Sequence, residues 1–163
     1  IFSRSIADNI RLSSDLSMEQ IRTASDMVQA TDFIDRLPQG FDTVMAERGA
    51  TLSTGQKQLI CFARALAHDP RVLVLDEATS NIDTETELLI QQGLNAVMEN
   101  RTSIIIAHRL STIRNADNVL VIHDHRIIER GTHDELIRQQ GFYHDLYMRQ
   151  FQHMNADKQT ASQ

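Results

Sequence analysis

The sequence predicts an α/β fold in which a helical unit precedes a largely parallel sheet. Two short apolar runs, Val72–Leu75 and Ser103–Ala107, have the length of strands buried on both faces. A helical pattern over Thr84–Asn100 lies between them, whereas residues 1–69 show helical patterns and loops only. Strands that alternate with helices are typical of layered α/β domains with parallel strands.

Length and composition narrow the class of protein. The 163 residues suffice for one domain. A composition with 41% hydrophobic and 23% charged residues is typical of a soluble globular chain. The net charge of −6 argues against nucleic acid as a partner. The single cysteine, Cys61, rules out an internal disulfide framework. The first residue is Ile1 and no signal peptide follows, so we expect an interior piece of a longer protein, and the alternative is a processed N-terminus.

The first forty residues are predicted to form three short helices. The first follows a loop within Ile1–Leu12. Ser17 starts the second, with Gln20 completing a capping box. The inward face of this helix is predicted to carry the apolar residues Ile21, Ala24, Met27 and Val28. Thr31 is predicted to cap the third helix, which the Pro38 to Gly40 segment ends.

A long helix over Gly55–His68 follows a loop at residues 41–51 and ends at Asp69-Pro70. Its apolar stripe consists of Leu59, Phe62, Ala63 and Leu66. In the Thr84–Asn100 helix the predicted inward residues are Ile90, Leu94, Val97 and Met98.

The last third of the chain is predicted to contain a hairpin and several helices. A short helix covers Leu110–Asn115. The hairpin strands are Val119–Ile122 and Arg126–Glu129, which turn at Asp124-His125. Two helices follow at Thr132–Gln140 and Phe142–Phe151, and a polar tail covers residues 152–163.

Two adjacent carboxylates follow the first apolar strand. Asp76 and Glu77 would lie at the carboxyl edge of the sheet, where ligands bind in open α/β folds. One carboxylate can hold a hydrated Mg²⁺ and the other can orient an attacking water, which is the division of labour that nucleotide hydrolysis needs. The alternative is a pair of solvated acids at the end of a strand.

The polar turn at Leu52–Gln56 opens the long helix. Ser53, Thr54, Gly55 and Gln56 are small or polar, and the N–H groups and dipole of a helix N-terminus favour an anion such as phosphate. Gly55 also permits close approach of the backbone. The alternative is an ordinary helix cap, which is the commoner use of such a turn.

Three histidines and the cysteine complete the candidates. His108 follows the second strand, where it can hydrogen-bond a phosphate or be a partly buried polar residue. His123 and His125 flank the predicted hairpin turn, which we favour over a metal pair because no acid or cysteine cluster joins them. Cys61 is predicted to be a small core residue rather than a nucleophile.

Together these motifs resemble the ATP-binding domain of ABC transporters, in the multidrug and lipid exporter branch. The motifs are L-S-T-G-Q at Leu52–Gln56, V-L-V-L-D-E at Val72–Glu77, S-N-I-D at Ser80–Asp83 and A-H-R-L-S at Ala107–Ser111. They resemble the family's signature, Walker B strand, D-loop and switch-histidine loop. A fifth, A-E-R-G at Ala46–Gly49, resembles the exporter loop that touches the coupling helices of the membrane domain. The resemblance covers about residues 1–150.

The resemblance implies a role for each site residue. Asp76 would hold Mg²⁺ through water, Glu77 would polarise the attacking water, and His108 would contact the γ-phosphate of ATP. Ser53, Thr54, Gly55 and Gln56 would face the ATP held by the opposite subunit, and Asp83 would act across the dimer interface. The fold implied is the second half of a P-loop NTPase-like ABC core joined to a helical signature subdomain.

The sequence departs from the family pattern at two points. Thr54 stands where the signature usually has a glycine, which places a side chain near the nucleotide. No G-x-x-x-x-G-K-[ST] motif occurs in the chain, so the cradle for the β- and γ-phosphates is not supplied by these residues. We therefore expect this chain to be inactive by itself.

The implied organisation is a partial nucleotide-binding domain at residues 1–151, with the helical subdomain at about 1–69 and the Walker B half at about 70–151. Its expected partners are a second nucleotide-binding domain, in a homo- or heterodimer, and a transmembrane domain, at the cytoplasmic face of the membrane. Two other readings remain open. One is an inert regulatory module that lends its signature helix to a partner, and the other is a soluble ABC ATPase of DNA repair or translation.

Overall fold

A computed structural model describes residues 1–45, 52–76, 84–107 and 110–149. The chain divides into two compact units. The first contains Ile1–Leu75 with Thr79–Ile105, and the second contains Asp76–Ala78 with Ile106–Gln163. The observed mixture of helices and paired strands confirms the α/β class, whereas the predicted boundaries at residues 69/70 and 151/152 stay predictions.

The elements follow one another in the predicted order. The helices are α1 (Ile6–Arg11), α2 (Met18–Met27), α3 (Thr31–Asp35), α4 (Thr54–Ala67), α5 (Thr84–Met98), α6 (Leu110–Arg114) and α7 (His133–Gln139). A short 3-10 helix covers Gly40–Asp42, and residues 142–149 are also helical. The strands are β1 (Val72–Asp76), β2 (Thr102–Ile106), β3 (Val119–His123) and β4 (Arg126–Gly131).

The first unit is organised around α4, which packs against α1, α2 and α5. The predicted apolar stripe of α4 is buried in full, and so are Ile90, Leu94 and Val97 of α5. The capping box at the start of α2 is also confirmed, because Ser17 Oγ accepts from the N–H of Gln20 and Gln20 Oε1 accepts from the N–H of Ser17. Local sequence signals and burial therefore agree at these positions.

The first sheet consists of β1 and β2, which run parallel and are joined through α5. The N–H of Thr102 donates to the carbonyl of Arg71, so the two strands start side by side. The prediction that both faces are buried is wrong for the described residues. Leu73 is 8% exposed, but Val72 and Val74 on the other face are 57% and 69% exposed. Ile104 and Ile106 of β2 are exposed in the same way, because only one face of this sheet packs against the helices.

The second unit contains the predicted hairpin of β3 and β4. The strands pair antiparallel from Val119↔Gly131 to His123↔Arg126, with a bulge after Val121. Asp124 and His125 form the two-residue turn, and both have positive φ, as the twist of a tight hairpin requires. The prediction of a turn is thus confirmed, and no group of three or more metal-binding side chains occurs among the described residues.

Three local predictions are wrong. Ala30, not Thr31, is the N-cap of α3, and it offers no side-chain hydrogen bond there. Met27 is 51% exposed because α2 ends there and the chain turns, and Val28 is the residue that enters the core. Cys61 is exposed, because it lies outside the stripe through which α4 packs.

The helix at residues 142–149 is attached to α7 and β4 by two polar contacts. Tyr143 Oη and His133 Nδ1 are hydrogen-bonded at 2.7 Å, and both residues are buried. The carboxylate of Glu129 accepts from the N–H groups of Phe142 and Tyr143 and so caps the helix. Burial raises the pKa of the Tyr143 phenol, and the neighbouring Tyr147 adds to the rise.

We expect Tyr143→Phe to lower stability by about 1 kcal/mol at neutral pH, because the phenol loses its bond to His133. The raised pKa also predicts a pH dependence. The contribution of the neutral phenol is complete below its unfolded pKa of about 10 and is lost as pH rises through the folded value. Urea unfolding at neutral and alkaline pH checks both points. An alkaline decline that is as steep in the variant as in the wild type would contradict the assignment.

Candidate functional site

The polar turn (Leu52–Gln56) is held by a second capping box. Ser53 is the N-cap of α4, and its Oγ accepts from the N–H of Gln56 at 3.2 Å. In return, Gln56 Oε1 accepts from the N–H of Ser53 at 3.1 Å. The polar turn therefore does act as a helix cap, because the side chains of Ser53 and Gln56 are both used to start the helix.

The capping box still leaves hydrogen-bond donors at this helix end. Neither the helix nor the box supplies an acceptor for the N–H groups of Thr54 and Gly55, which occupy the first two helical positions. The Ser53 hydroxyl uses a lone pair in the box, so its own proton remains available. Ser53 and Thr54 are exposed, and the first turn of α4 carries no acid. These donors and the helix dipole suit an anionic ligand.

Gly55 is buried within the polar turn, as Leu52 is. A Cβ built on it would overlap the methyl group of Thr86 on α5 and lie 3.3 Å from Cδ1 of Ile90. The side of Gly55 that a larger residue would fill therefore faces α5. The need for glycine here arises from helix packing, while its N–H stays at the open end of the helix.

Asp76 is the last residue of β1, and its side chain is exposed. A solvent-accessible carboxylate at a strand end fits a Mg²⁺ ion that keeps several waters and takes phosphate oxygens as further ligands. Glu77, Asp83 and His108 lie outside the described residues. Their predicted roles stay predictions.

Two close-packed residues were missed by the sequence analysis, Thr86 and Gly93. Gly93 of α5 approaches α4 closely, because a Cβ there would lie 3.1 Å from Cδ2 of Phe62 and 3.3 Å from Cδ2 of Leu59. A weak signal was present in the sequence. Thr86 stands one helical turn before Ile90, and Gly93 stands next to Leu94, so both border the predicted inward face of α5.

The chain is similar to known proteins over most of its length. The ABC transporter family model matches residues 3–80. The ABC transporter ATP-binding protein YfiC of Bacillus subtilis (strain 168), itself uncharacterised, is 53% identical over 153 residues, which cover 93% of this chain and 25% of the relative. The ATP-dependent lipid A-core flippase of Shewanella frigidimarina is 52% identical over 153 residues, 93% of this chain and 26% of the relative.

A further relative and a solved structure match over a similar share of this chain. Multidrug resistance protein 4 of Entamoeba histolytica is 50% identical over 155 residues, 93% of this chain and 12% of the relative. The structure of a bacterial Atm1-family ABC exporter with ATP bound matches with a TM-score of 0.81 and 43% identity, over 92% of this chain and 26% of that one. The chain thus spans about a quarter of the length of these bacterial relatives. No described helix has both the length and the apolar character of a membrane span.

Proposed function

This chain belongs to the ABC transporter family of ATP-binding proteins, and we propose on that basis that it is the later part of an exporter's nucleotide-binding domain. In the proposed function the complete domain hydrolyses ATP, and the hydrolysis drives transport through a transmembrane domain. One observation carries the proposal most directly. The polar turn has the free N–H groups and the exposed hydroxyl that a phosphate needs, at the point where the family signature falls.

The proposed roles divide between two nucleotide sites. Ser53, Thr54 and Gly55 would donate to the γ-phosphate of ATP bound by the opposite subunit. The side-chain nitrogen Nε2 of Gln56 would donate to the same phosphate, because the capping box uses only the side-chain oxygen. Asp83 would act across that dimer interface. The Gln56 side chain has a further task, since its oxygen holds the N–H of Ser53 and so fixes the turn.

The second site belongs to the domain's own nucleotide. Asp76 would hold Mg²⁺ through water, Glu77 would accept a proton from the attacking water, and His108 would hydrogen-bond the γ-phosphate. A bound Mg²⁺ would supply neutralisation of the phosphate charge. Asp76 is exposed and so accessible to such an ion.

The proposed partners are a second nucleotide-binding domain and a transmembrane domain, at the cytoplasmic face of the membrane. The domain arrangement that goes with them is a helical subdomain at about 1–69 and a Walker B half at about 70–151.

We expect the 163-residue chain alone to bind Mg-ATP weakly, with a Kd above about 1 mM, and to hydrolyse none. The physical reason is that the sequence contains no Gly-rich cradle with a lysine for the β- and γ-phosphates. Isothermal titration of the chain with Mg-ATP tests this expectation, and micromolar affinity would contradict it.

The full-length transporter that contains this sequence is the matched positive control. It is expected to hydrolyse ATP in a Mg²⁺-dependent way when it is reconstituted in liposomes. If the full-length protein bound Mg-ATP without turning it over, the proposed function would be wrong, whatever the result for the chain alone.

A further inference from the structure

A close contact between α4 and α5 lies directly behind the polar turn. Gly55 is buried, and the space where its side chain would lie is occupied by the Thr86 methyl group. Ile90, one turn further along α5, is 1% exposed and closes the same space from below. The contact leaves no free volume, so Gly55 cannot move toward α5 unless Thr86 or Ile90 moves as well.

A second glycine fixes the two helices at the other end of the contact. Gly93 of α5 lies against Leu59 and Phe62 of α4, so each helix contributes one glycine to the interface. The two points are about two turns apart along α5. If α5 slid or rotated along α4, one of the two contacts would open and atoms at the other would overlap. The N-terminal turns of both helices are therefore fixed relative to each other.

The contact bears on the proposed function because of where α5 begins in the chain. α5 begins at Thr84, directly after the D-loop segment that ends at Asp83. Under the proposed function, on which this inference rests, the polar turn and the D-loop segment both act on the opposite subunit. Thr86 lies three residues after Asp83 in the sequence and touches the polar turn through Gly55.

We propose that Thr86 is a positioning residue for ATP hydrolysis, whose methyl group packs on Gly55 and holds the polar turn in a fixed position against α5. Thr86 has no contact with nucleotide in this role. It acts by placing Ser53 and the free N–H groups of Thr54 and Gly55. Displacement of such donors by about 1 Å from their productive position is enough to lower a rate roughly 100-fold.

The test is a size exchange at the contact, made in the full-length transporter. Gly55→Ala adds a methyl group that collides with the Thr86 methyl group. Thr86→Ser removes that group and keeps the hydroxyl. We expect Gly55→Ala to lower kcat for ATP hydrolysis roughly 100-fold with KM changed by less than about 3-fold. Addition of Thr86→Ser to Gly55→Ala is expected to restore kcat to within about 5-fold of the wild type.

A control separates positioning from general loss of stability. Ile34→Val removes one methyl group from a fully buried residue on α3, which packs mainly against α2 and the 3-10 helix, and is expected to leave kcat within about 2-fold. Amide hydrogen exchange in the 163-residue chain gives a readout that needs no nucleotide. Exchange at Gln56 should rise in Gly55→Ala, because the capping box is displaced, and fall back in the double variant.

The outcomes distinguish this inference from the proposed function. If the wild-type transporter does not hydrolyse ATP, both the proposed function and this inference are wrong. If the wild type is active and Gly55→Ala is inactive with or without Thr86→Ser, then the alanine acts on the nucleotide directly and the positioning role of Thr86 is wrong. If the double variant recovers exchange protection but not kcat, the contact only stabilises helix packing, and the proposal is wrong in that case too.

Discussion

The Glu77→Gln variant of the full-length transporter is expected to bind ATP as the wild type does and to hydrolyse it at least about 100-fold more slowly. Glutamine keeps the size of the side chain and one hydrogen-bond acceptor, but it cannot take a proton from the attacking water. General bases contribute about 10²–10⁴-fold to the rates of their reactions. The loss should therefore appear in kcat, whereas KM for ATP should change little.

Release of inorganic phosphate gives kcat in this experiment, and filter binding of labelled ATP gives affinity. Glu99→Gln is the matched control, because Glu99 is exposed after the end of α5 and has no assigned role. It should hydrolyse ATP at the wild-type rate. Phosphate release by Glu77→Gln within about 10-fold of the wild type would remove Glu77 from the role of base.

Local signals in the sequence were sufficient for most helices and for the hairpin. The capping boxes at Ser17, Ser53 and Thr132 each begin a helix as their residue types predict. The hairpin turn at Asp124-His125 follows from the same kind of local chemistry. These features need no distant contact, because the side chain and the backbone groups that it satisfies lie within a few residues of each other.

Contacts between distant segments account for the errors. An apolar run such as Val72–Leu75 shows that a strand is favourable, but it does not show what covers each face, and here one face is exposed. Cys61 lies in a helix of correctly predicted type, yet it falls just outside the face that α4 buries. The order of the motifs points to the polar turn and Asp76 as site residues, and those roles stay predictions. The contact between Gly55 and Thr86 depends instead on how two helices cross, which spacing alone does not give.

Asn9 is another residue whose role depends on such contacts, because its side chain is fully buried among apolar neighbours of α1. Its Oδ1 accepts from the N–H of Phe2 at 2.8 Å, and its Nδ2 donates to the carbonyls of Phe2 and Ser5 at 2.9 and 3.0 Å. Arg64 of α4 donates to the backbone carbonyl of Asn9 at 2.6 Å. One side chain thus folds the N-terminal segment back onto α1, beside the helix that carries the polar turn.

We expect Asn9→Ala to lower the free energy of unfolding of the 163-residue chain by about 2–4 kcal/mol. Alanine makes none of the hydrogen bonds by which the Asn9 side chain binds backbone groups of Phe2, Arg4 and Ser5, and the segment can recover only those that reach water. Urea unfolding followed by circular dichroism measures the loss. Asn118→Ala, at an exposed position, is the control and should change stability by less than about 0.5 kcal/mol.

The Asn9→Asp variant shows whether the donors or the acceptor of Asn9 matter more. Aspartate keeps an oxygen for the N–H of Phe2 and for Arg64 Nη2, which donates to Oδ1 of Asn9 at 3.4 Å, but it places its second carboxylate oxygen against the carbonyls of Phe2 and Ser5 that the amide nitrogen bonded. Since a buried carboxylate that faces acceptors is costly, we expect Asn9→Asp to lose at least as much stability as Asn9→Ala. A loss below about 1 kcal/mol in both variants would mean that the N-terminal segment does not depend on Asn9. In that case Arg64, and not Asn9, would have to hold the segment beside α4.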